Sequence, residues 1–357
     1  MGVTDGKDSR SKSRGGKISR VKTLLIIDGN PLVWRSVQTF SHLRTKSGVR
    51  TGCVFGALEK LIQGVAAVQP TSIVVCWDIG KSRWRRALYP AYKCSRESKP
   101  AELLHGLTAD EVVNQMGIVK QILSRAGVHQ IGVKGVEADD LIGILTSGLN
   151  LLSNYDDVVI MSQDRDLFQL LGGKVKYYEP VQKRWIEISD VQKKYGGFGP
   201  EMQTQIKAIM GDGGDDIPGV HGIGDIWAIK LLKQFGSLDA LLDPASDVEL
   251  NKSAKGRAVV ASRDIVRMAL KLVTIPKIDN FQQYFNPEET EILTQILWQK
   301  PKADRYSLVG LVEQYELKKF VSRIDIILRE NPNFSGFDSW LPELSFEQKA
   351  DLFWENR

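Results

Sequence analysis

The chain has 357 residues, 42% hydrophobic and 25% charged, with a formal net charge of +5. These values exclude a disordered body, and the length allows one large domain or two smaller ones. Three scattered cysteines (Cys53, Cys76, Cys94) without CxxC spacing argue against a disulfide framework or a zinc site, and for a reducing compartment. No apolar run approaches the roughly 18 residues that span a bilayer, so no membrane association is expected.

Residues 1–22 form a basic tail, with Lys7, Arg10, Lys12, Arg14, Lys17, Arg20 and Lys22 among Ser and Gly, and without the apolar core of a signal peptide. A flexible solvated tail and a non-specific nucleic-acid arm both fit it. Three short apolar runs follow, each leading to an acid: Leu24–Ile27 before Asp28, Ile73–Trp77 before Asp78, and Val158–Met161 before Asp164. Their length and β-branched content predict buried parallel strands. Helical spacing lies between them, as in Phe55–Ala67 and Val112–Ala126. The alternation predicts an α/β fold, an open, mostly parallel sheet flanked by helices, with its functional groups at the carboxyl ends of the strands. Asp28, Asp78 and Asp164 stand at those ends.

After the second predicted strand come Lys81, Arg83, Arg85, Arg86, Lys93, Arg96 and Lys99, interleaved with Trp84, Tyr89 and Tyr92. A solvated loop would look like this, and so would a surface for single-stranded nucleic acid, where bases stack and phosphates pair. Glu137-Ala-Asp-Asp140 opens a predicted helix; capping explains one acid there, not three. Ser162-Gln-Asp-Arg-Asp166 lies just past the third strand, and Gly211-Asp-Gly-Gly-Asp-Asp216 crowds acids onto a glycine-rich turn. Singly, each cluster reads as a cap or a turn. Jointly, so many carboxylates at one end of a sheet would repel one another unless cations neutralised them. Carboxylates suit Mg²⁺ or Mn²⁺, and two such ions about 3.5–4 Å apart can activate water and stabilise the leaving oxygen of a phosphodiester.

Beyond Pro200 the pattern becomes helical, over Glu201–Met210, Trp227–Phe235 and Arg263–Leu272. Between the first two, Gly222 and Gly224 would let the backbone approach a phosphate at a helix N-terminus. From about Glu330 the chain carries Phe334, Phe337, Trp340, Phe346, Phe353 and Trp354, which suit packing on their own domain or docking to a partner. His42, His105, His129 and His221 form no cluster and read as structural or surface residues.

Six segments in order resemble the motifs of the flap endonuclease and 5′-nuclease family, notably the bacteriophage 5′–3′ exonucleases and the 5′-nuclease domains of bacterial DNA polymerase I. They are Leu24-Leu-Ile-Ile-Asp-Gly-Asn30, Val74-Val-Cys-Trp-Asp78, Tyr89-Pro-Ala-Tyr-Lys93, Gly135-Val-Glu-Ala-Asp-Asp140, Ser162-Gln-Asp-Arg-Asp166 and Gly211-Asp-Gly-Gly-Asp-Asp-Ile-Pro-Gly219. The resemblance covers roughly residues 23–326. It implies a PIN-like nuclease domain over 23–200 with a helical arch at about 81–115, a helix–hairpin–helix region over 201–326, and an extension over 327–357.

The resemblance further implies Asp28, Asp78, Glu137, Asp139 and Asp140 as ligands of a tighter metal site, and Asp164 as a ligand close to both metals. Asp166, Asp212 and Asp215 would form the second site, with two Mg²⁺ ions that Mn²⁺ can replace. Asp216 stands where the family usually has Asn and receives no ligand role. Lys93 and Arg96 would act on the scissile phosphate. Arg83, Arg85, Arg86 and Tyr92 would line the DNA path, and Trp34 would stack on a base beside the cut unless it is a core residue. Gly222, Gly224 and Lys230 would bind DNA at the hairpin, with K⁺ on its carbonyls.

The implied activity is a structure-directed 5′ nuclease, a 5′–3′ exonuclease and 5′-flap endonuclease of replication and repair. It would act as a monomer on DNA with 5′ flaps or free 5′ ends and on RNA–DNA hybrids, in the cytoplasm of a bacterial or phage-infected cell. No polymerase domain is attached, so a free-standing enzyme is expected, with a replication-protein partner docking on the extension. A non-catalytic DNA-binding module would require missing acids. A phosphatase of the strand-end Asp type wants an Asp where Asn30 sits, and a PIN-type ribonuclease lacks the hairpin.

Overall fold

Leu24 and Ile26 point to one face of the central strand and Leu25 and Ile27 to the other, and both faces are buried. That is why the run is apolar at every position instead of every second one. The computed structural model describes residues 21–96, 105–148, 153–297, 302–317, 319, 320 and 323. Its single sheet contains β1 (Thr23–Asp28), β2 (Ser72–Cys76), β3 (His129–Ile131), β4 (Asp157–Met161), β5 (Val175–Glu179) and β6 (Arg184–Ile186), in the order β3-β2-β1-β4-β5-β6. The first five are parallel and β6 runs antiparallel to β5. The chain starts in the middle, moves out to β3, then returns to the other side of β1. This reversal opens a crevice at the carboxyl ends of β1 and β4.

The helices Gly52–Val68 and Ala109–Arg125 cover one face; a capping box of Thr108 and Glu111 starts the second. The helix Ala138–Ser147 covers the other face. Behind it pack the helices Gln203–Met210, Asp225–Phe235 and Arg263–Val273, where helical spacing was expected. All named elements past Pro200 among the described residues are helical. β3, β5 and β6 were not anticipated: two have three residues, and β5 carries Lys176 and Glu179.

The helix Arg305–Gln314 packs on Ala109–Arg125. Leu308, Val312, Leu317 and Phe320 are buried in the same core as Leu25 and Ile27. A helical apolar stripe specifies that a face is buried, not against which partner. No helix of the described residues is long and apolar enough to cross a membrane. The basic tail to residue 20, arch residues 97–104 and the extension over 327–357 lie outside the described residues.

Candidate active site

Asp28 is the last residue of β1, Asp78 lies two residues past β2, and Asp164 three past β4. Asp78 Oδ1 accepts the Ala138 N–H at 2.7 Å, so this strand-end acid caps the helix Ala138–Ser147 and draws Glu137, Asp139 and Asp140 to the same end of the sheet. Asp139 Oδ1 accepts the Asp140 N–H at 2.7 Å. Glu137, in the N-cap position, makes no side-chain cap bond; its oxygens accept from Arg85, Tyr92 and Lys93 instead.

Arg85 is 1% exposed and sits behind these acids. Its guanidinium bonds Asp140 at 2.7 and 2.9 Å and Glu137 at 2.8 Å, lies 3.6 Å from Asp139, and donates from Nε to the Leu272 carbonyl at 3.0 Å. Arg85 was expected on the DNA path; it is instead a buried counterion, because the helix Arg83–Leu88 turns it inward. Tyr92, expected on the same path, is also buried, and its hydroxyl donates to Glu137 at 2.8 Å. Asp140 has its oxygens taken by Arg85 and by Trp84 Nε1 at 3.2 Å, and is fully buried. It is thereby held against Arg85 on the buried side of the acid group. Arg83 is partly exposed but held by Glu289 at 2.7 and 2.8 Å and by the Tyr284 carbonyl at 3.0 Å. Arg86 is half-buried beside it.

Lys93 and Arg96 reach across to the acids. Lys93 Nζ lies 2.7 Å from Glu137 and 3.6 Å from Asp215, and Arg96 pairs with Asp215 and donates to the Gly214 carbonyl at 3.1 Å. Asp216 takes the Ser95 N–H at 2.7 Å, which gives it a structural part in holding the Cys94–Arg96 turn. Asp166, Asp212 and Asp215 bring ligand oxygens within 4.8 Å of one another. Lys207 bridges two of them, at 2.5 Å from Asp166 and 2.6 Å from Asp212. The turn that carries Asp212 and Asp215 is closed by glycines: a Cβ on Gly219 would lie 2.2 Å from the Met210 carbonyl carbon, and Gly211 has φ 76°.

The charges are unevenly compensated. Burial, then Asp78 and Asp164, pushes Asp28 well above the ordinary carboxylate range, with one hydrogen bond from Ser162 opposing. Burial likewise raises Asp78, Asp139 and Asp164, joined in Asp164 by the neighbouring Asp166. Glu137 is held low, since Arg85 and Lys93 outweigh its burial; Lys207 does the same for Asp212. Among the described residues four protein cations (Arg85, Lys93, Arg96, Lys207) thus meet nine carboxylates, and the ones that burial leaves strained are Asp28, Asp78, Asp139, Asp164 and, in spite of Arg85, Asp140. Hard oxygen donors with excess negative charge fit divalent cations.

Farther along, Gly222 (φ 76°) and Gly224 are exposed with open space around them, just before the helix Asp225–Phe235. Lys230 is exposed on that helix, its ammonium 4.6 Å from the Trp227 ring. Trp34 is half-buried at the end of the helix Gly29–Trp34, which begins directly after Asp28. Sequence reasoning missed Lys207, Ser162 and Glu289. Lys207, five residues before Asp212 on a predicted helix, was within reach of a spacing argument; Ser162 and Glu289 act through partners far away in the chain.

The family model of the 5′-3′ exonuclease N-terminal resolvase-like domain matches residues 23–196, and that of the 5′-3′ exonuclease C-terminal SAM fold matches residues 198–292. A 5′-3′ exonuclease of Bacillus subtilis is 34% identical over 71% of this chain and 82% of its own length. A DNA polymerase I of Rhizobium leguminosarum is 31% identical, but the chain spans only 24% of that relative. Among solved structures, bacteriophage T5 5′-exonuclease with bound divalent metal ions (zinc) matches with a TM-score of 0.64 at 24% identity, over 77% of this chain and 98% of that one. A bacteriophage T5 flap endonuclease in a pseudo-enzyme-product complex with DNA and metal ions matches with a TM-score of 0.58 at 22% identity, over 86% of this chain and 100% of that one. At these identities the structural likeness shows the shared fold. With its sheet, its converging acids and both domain matches, the chain belongs to the 5′-3′ exonuclease family.

Proposed function

We propose that the chain hydrolyses DNA phosphodiesters at free 5′ ends and at 5′ flaps with two divalent metal ions, Mg²⁺ in the cell and Mn²⁺ as a substitute. The observation that carries this reading is the convergence of Asp166, Asp212 and Asp215 beside Asp164, under Lys93 and Arg96. In this reading Asp28, Asp78, Glu137, Asp139 and Asp140, the last backed by Arg85, hold one ion, Asp166, Asp212 and Asp215 hold the other, and Asp164 lies close to both. Bound there, the ions would supply activation of water and charge stabilisation at the leaving oxygen.

The chain's own contribution is to bind and orient the substrate. Lys93 and Arg96 now lie on carboxylates, and a phosphate brought between them would exchange those partners for its own oxygens and have its developing charge stabilised. Arg85 and Tyr92 keep Glu137 in a single orientation from the buried side. Arg86 and Trp34 face the approaching strand, Trp34 by stacking on a base. Gly222, Gly224 and Lys230 seat the duplex, with K⁺ on the hairpin carbonyls. RNA–DNA hybrids as substrates, a monomeric state, a cytoplasmic location and a replication partner complete the reading, and the named relatives support it by kinship.

The test is cleavage of an end-labelled 5′-flap duplex with and without Mg²⁺. Asp164→Asn and Lys93→Ala are each expected to slow cleavage by at least about 100-fold while DNA binding persists. Near wild-type cleavage by both variants overturns the assignment. Binding by the unsubstituted chain without any metal-dependent cleavage would leave the non-catalytic DNA-binding module instead.

A further inference from the structure

The helix Asp225–Phe235 carries an exposed apolar pair that the core does not explain. Ala228, Leu231 and Leu232 fill its buried side, whereas Ile226 is 76% exposed and Trp227 36%. Two ammonium groups lie against the Trp227 ring. Lys230 Nζ, one turn along the same helix, is 4.6 Å from the ring centroid, and Lys255 Nζ, from the separate helix Ala254–Ala261, is 3.9 Å away. Such contacts are favourable through the negative face of the indole.

Neither ammonium has a carboxylate partner among the described residues. Their neighbours do: Lys252 pairs with Glu249 at 2.5 Å, and Arg263 pairs with Asp247. Two like charges gathered on one ring repel each other, and an anion is what relieves that repulsion. The ring also decides which anion. An indole already lined with ammonium groups offers charge more than a free stacking face, so it suits backbone phosphates better than unstacked bases. Gly222 and Gly224, immediately before this helix, extend the same surface.

We infer that Trp227 is a platform aligning Lys230 and Lys255 on the phosphates of the double-stranded part of the substrate, with Lys255 adding a contact from outside the hairpin. The inference rests on the reading of DNA as substrate given above. Lys255 is a specificity element here: it adds affinity for paired DNA next to the cut, independent of base sequence.

Binding of the full chain to a 5′-flap duplex, in EDTA to prevent cleavage, is to be measured across a salt series. Lys255→Ala should make the slope of log affinity against log salt shallower by about 0.9, and Trp227→Ala by up to about twice that. Trp227→Phe, which keeps an aromatic face, should retain most of the wild-type slope and covers the case in which Trp227→Ala fails to fold. Lys176→Ala is the control for loss of one charge: that ammonium pairs with Asp157 at 2.8 Å, at the opposite ends of the strands, and its removal should leave the slope unchanged. A wild-type slope in Lys255→Ala, or an equal loss in Lys176→Ala, overturns the inference while the substrate reading stands. Absence of flap-duplex binding by the unsubstituted chain overturns the substrate reading itself.

Discussion

Ser162 Oγ donates a 2.7 Å hydrogen bond to Asp28 Oδ2 and accepts one of 2.9 Å from the Asp164 N–H. One buried hydroxyl therefore couples the carboxylate ending β1 to the backbone that carries the carboxylate beyond β4, across the crevice between the strands. Tyr177 steadies the same loop from β5 by donating to the Asp164 carbonyl at 2.8 Å. Groups that orient metal ligands in this way typically govern affinity by about 10–100-fold. Ser162→Ala should lose that much affinity for Mn²⁺ in a calorimetric titration, and Ser162→Thr should recover most of it. Equal affinities for Ser162→Ala and the unsubstituted chain would show that the hydroxyl serves packing only.

Arg85 should behave as a residue of the interior. Its replacement by Met leaves Asp140 buried without its counterion and Glu137 with Lys93 alone, which costs about 3–5 kcal/mol. Arg85→Lys should recover little, because an ammonium cannot reproduce the two-pronged contact with Asp140. Urea unfolding measures this directly. A stability loss under about 1 kcal/mol, combined with a weaker salt dependence of DNA binding, would return Arg85 to the DNA surface.

The strained acids predict a linkage between pH and metal. Asp28, Asp78, Asp139, Asp140 and Asp164 hold their protons more tightly folded than unfolded, chiefly through burial. Their contribution to stability is full below the ordinary carboxylate pKa of about 4 and is lost as pH rises through their raised values. Glu137 and Asp212, held low, act in the opposite sense and lose theirs in acid. The metal-free chain should accordingly be more stable near roughly pH 5.5 than near pH 8, and added Mg²⁺ should raise Tm more at the higher pH. Scanning calorimetry at both pH values checks it; a metal effect independent of pH would contradict the assignment of strain to these carboxylates.

Gly219→Ala tests the closed turn. The added Cβ would meet the Met210 carbonyl group and the Gly211 N at 2.2–2.3 Å, all of them backbone atoms that cannot swing aside. A loss of about 1–3 kcal/mol or more is expected in thermal unfolding, with weakened metal binding because Asp212 and Asp215 ride on this turn. A variant that folds and binds metal like the unsubstituted chain would mean the turn has room the geometry does not show.

Much of this was readable in the chain itself, for physical reasons. β1, β2 and β4 are buried on both faces, so their apolar runs stand out, and the acids at their ends are conspicuous by type and position. The three bases in the Arg83–Arg86 stretch are different: composition does not separate them. Arg85 turns inward because Asp140 and the Leu272 carbonyl await it, 55 and 187 residues away, while Arg83 is held by Glu289, 206 residues away. No local pattern carries that information. The same holds for Arg305–Gln314, whose apolar stripe is plain but whose resting place on Ala109–Arg125 follows only from the assembled core.

The tie between Arg83 and Glu289 has a bearing on the order of events at the ribosome. Chains emerge N-terminal end first, and contacts between distant segments wait for the later one. The acids Asp28 to Asp166 are all made early, yet Lys207, Asp212 and Asp215 follow, then Leu272 on Arg85, then Glu289 on Arg83. A nascent chain ending before residue 272 would carry Arg85 but lack the Leu272 carbonyl that accepts from its Nε. Completion of the helical half is thus what fixes Arg85 and Arg83 in their places behind and beside the acids.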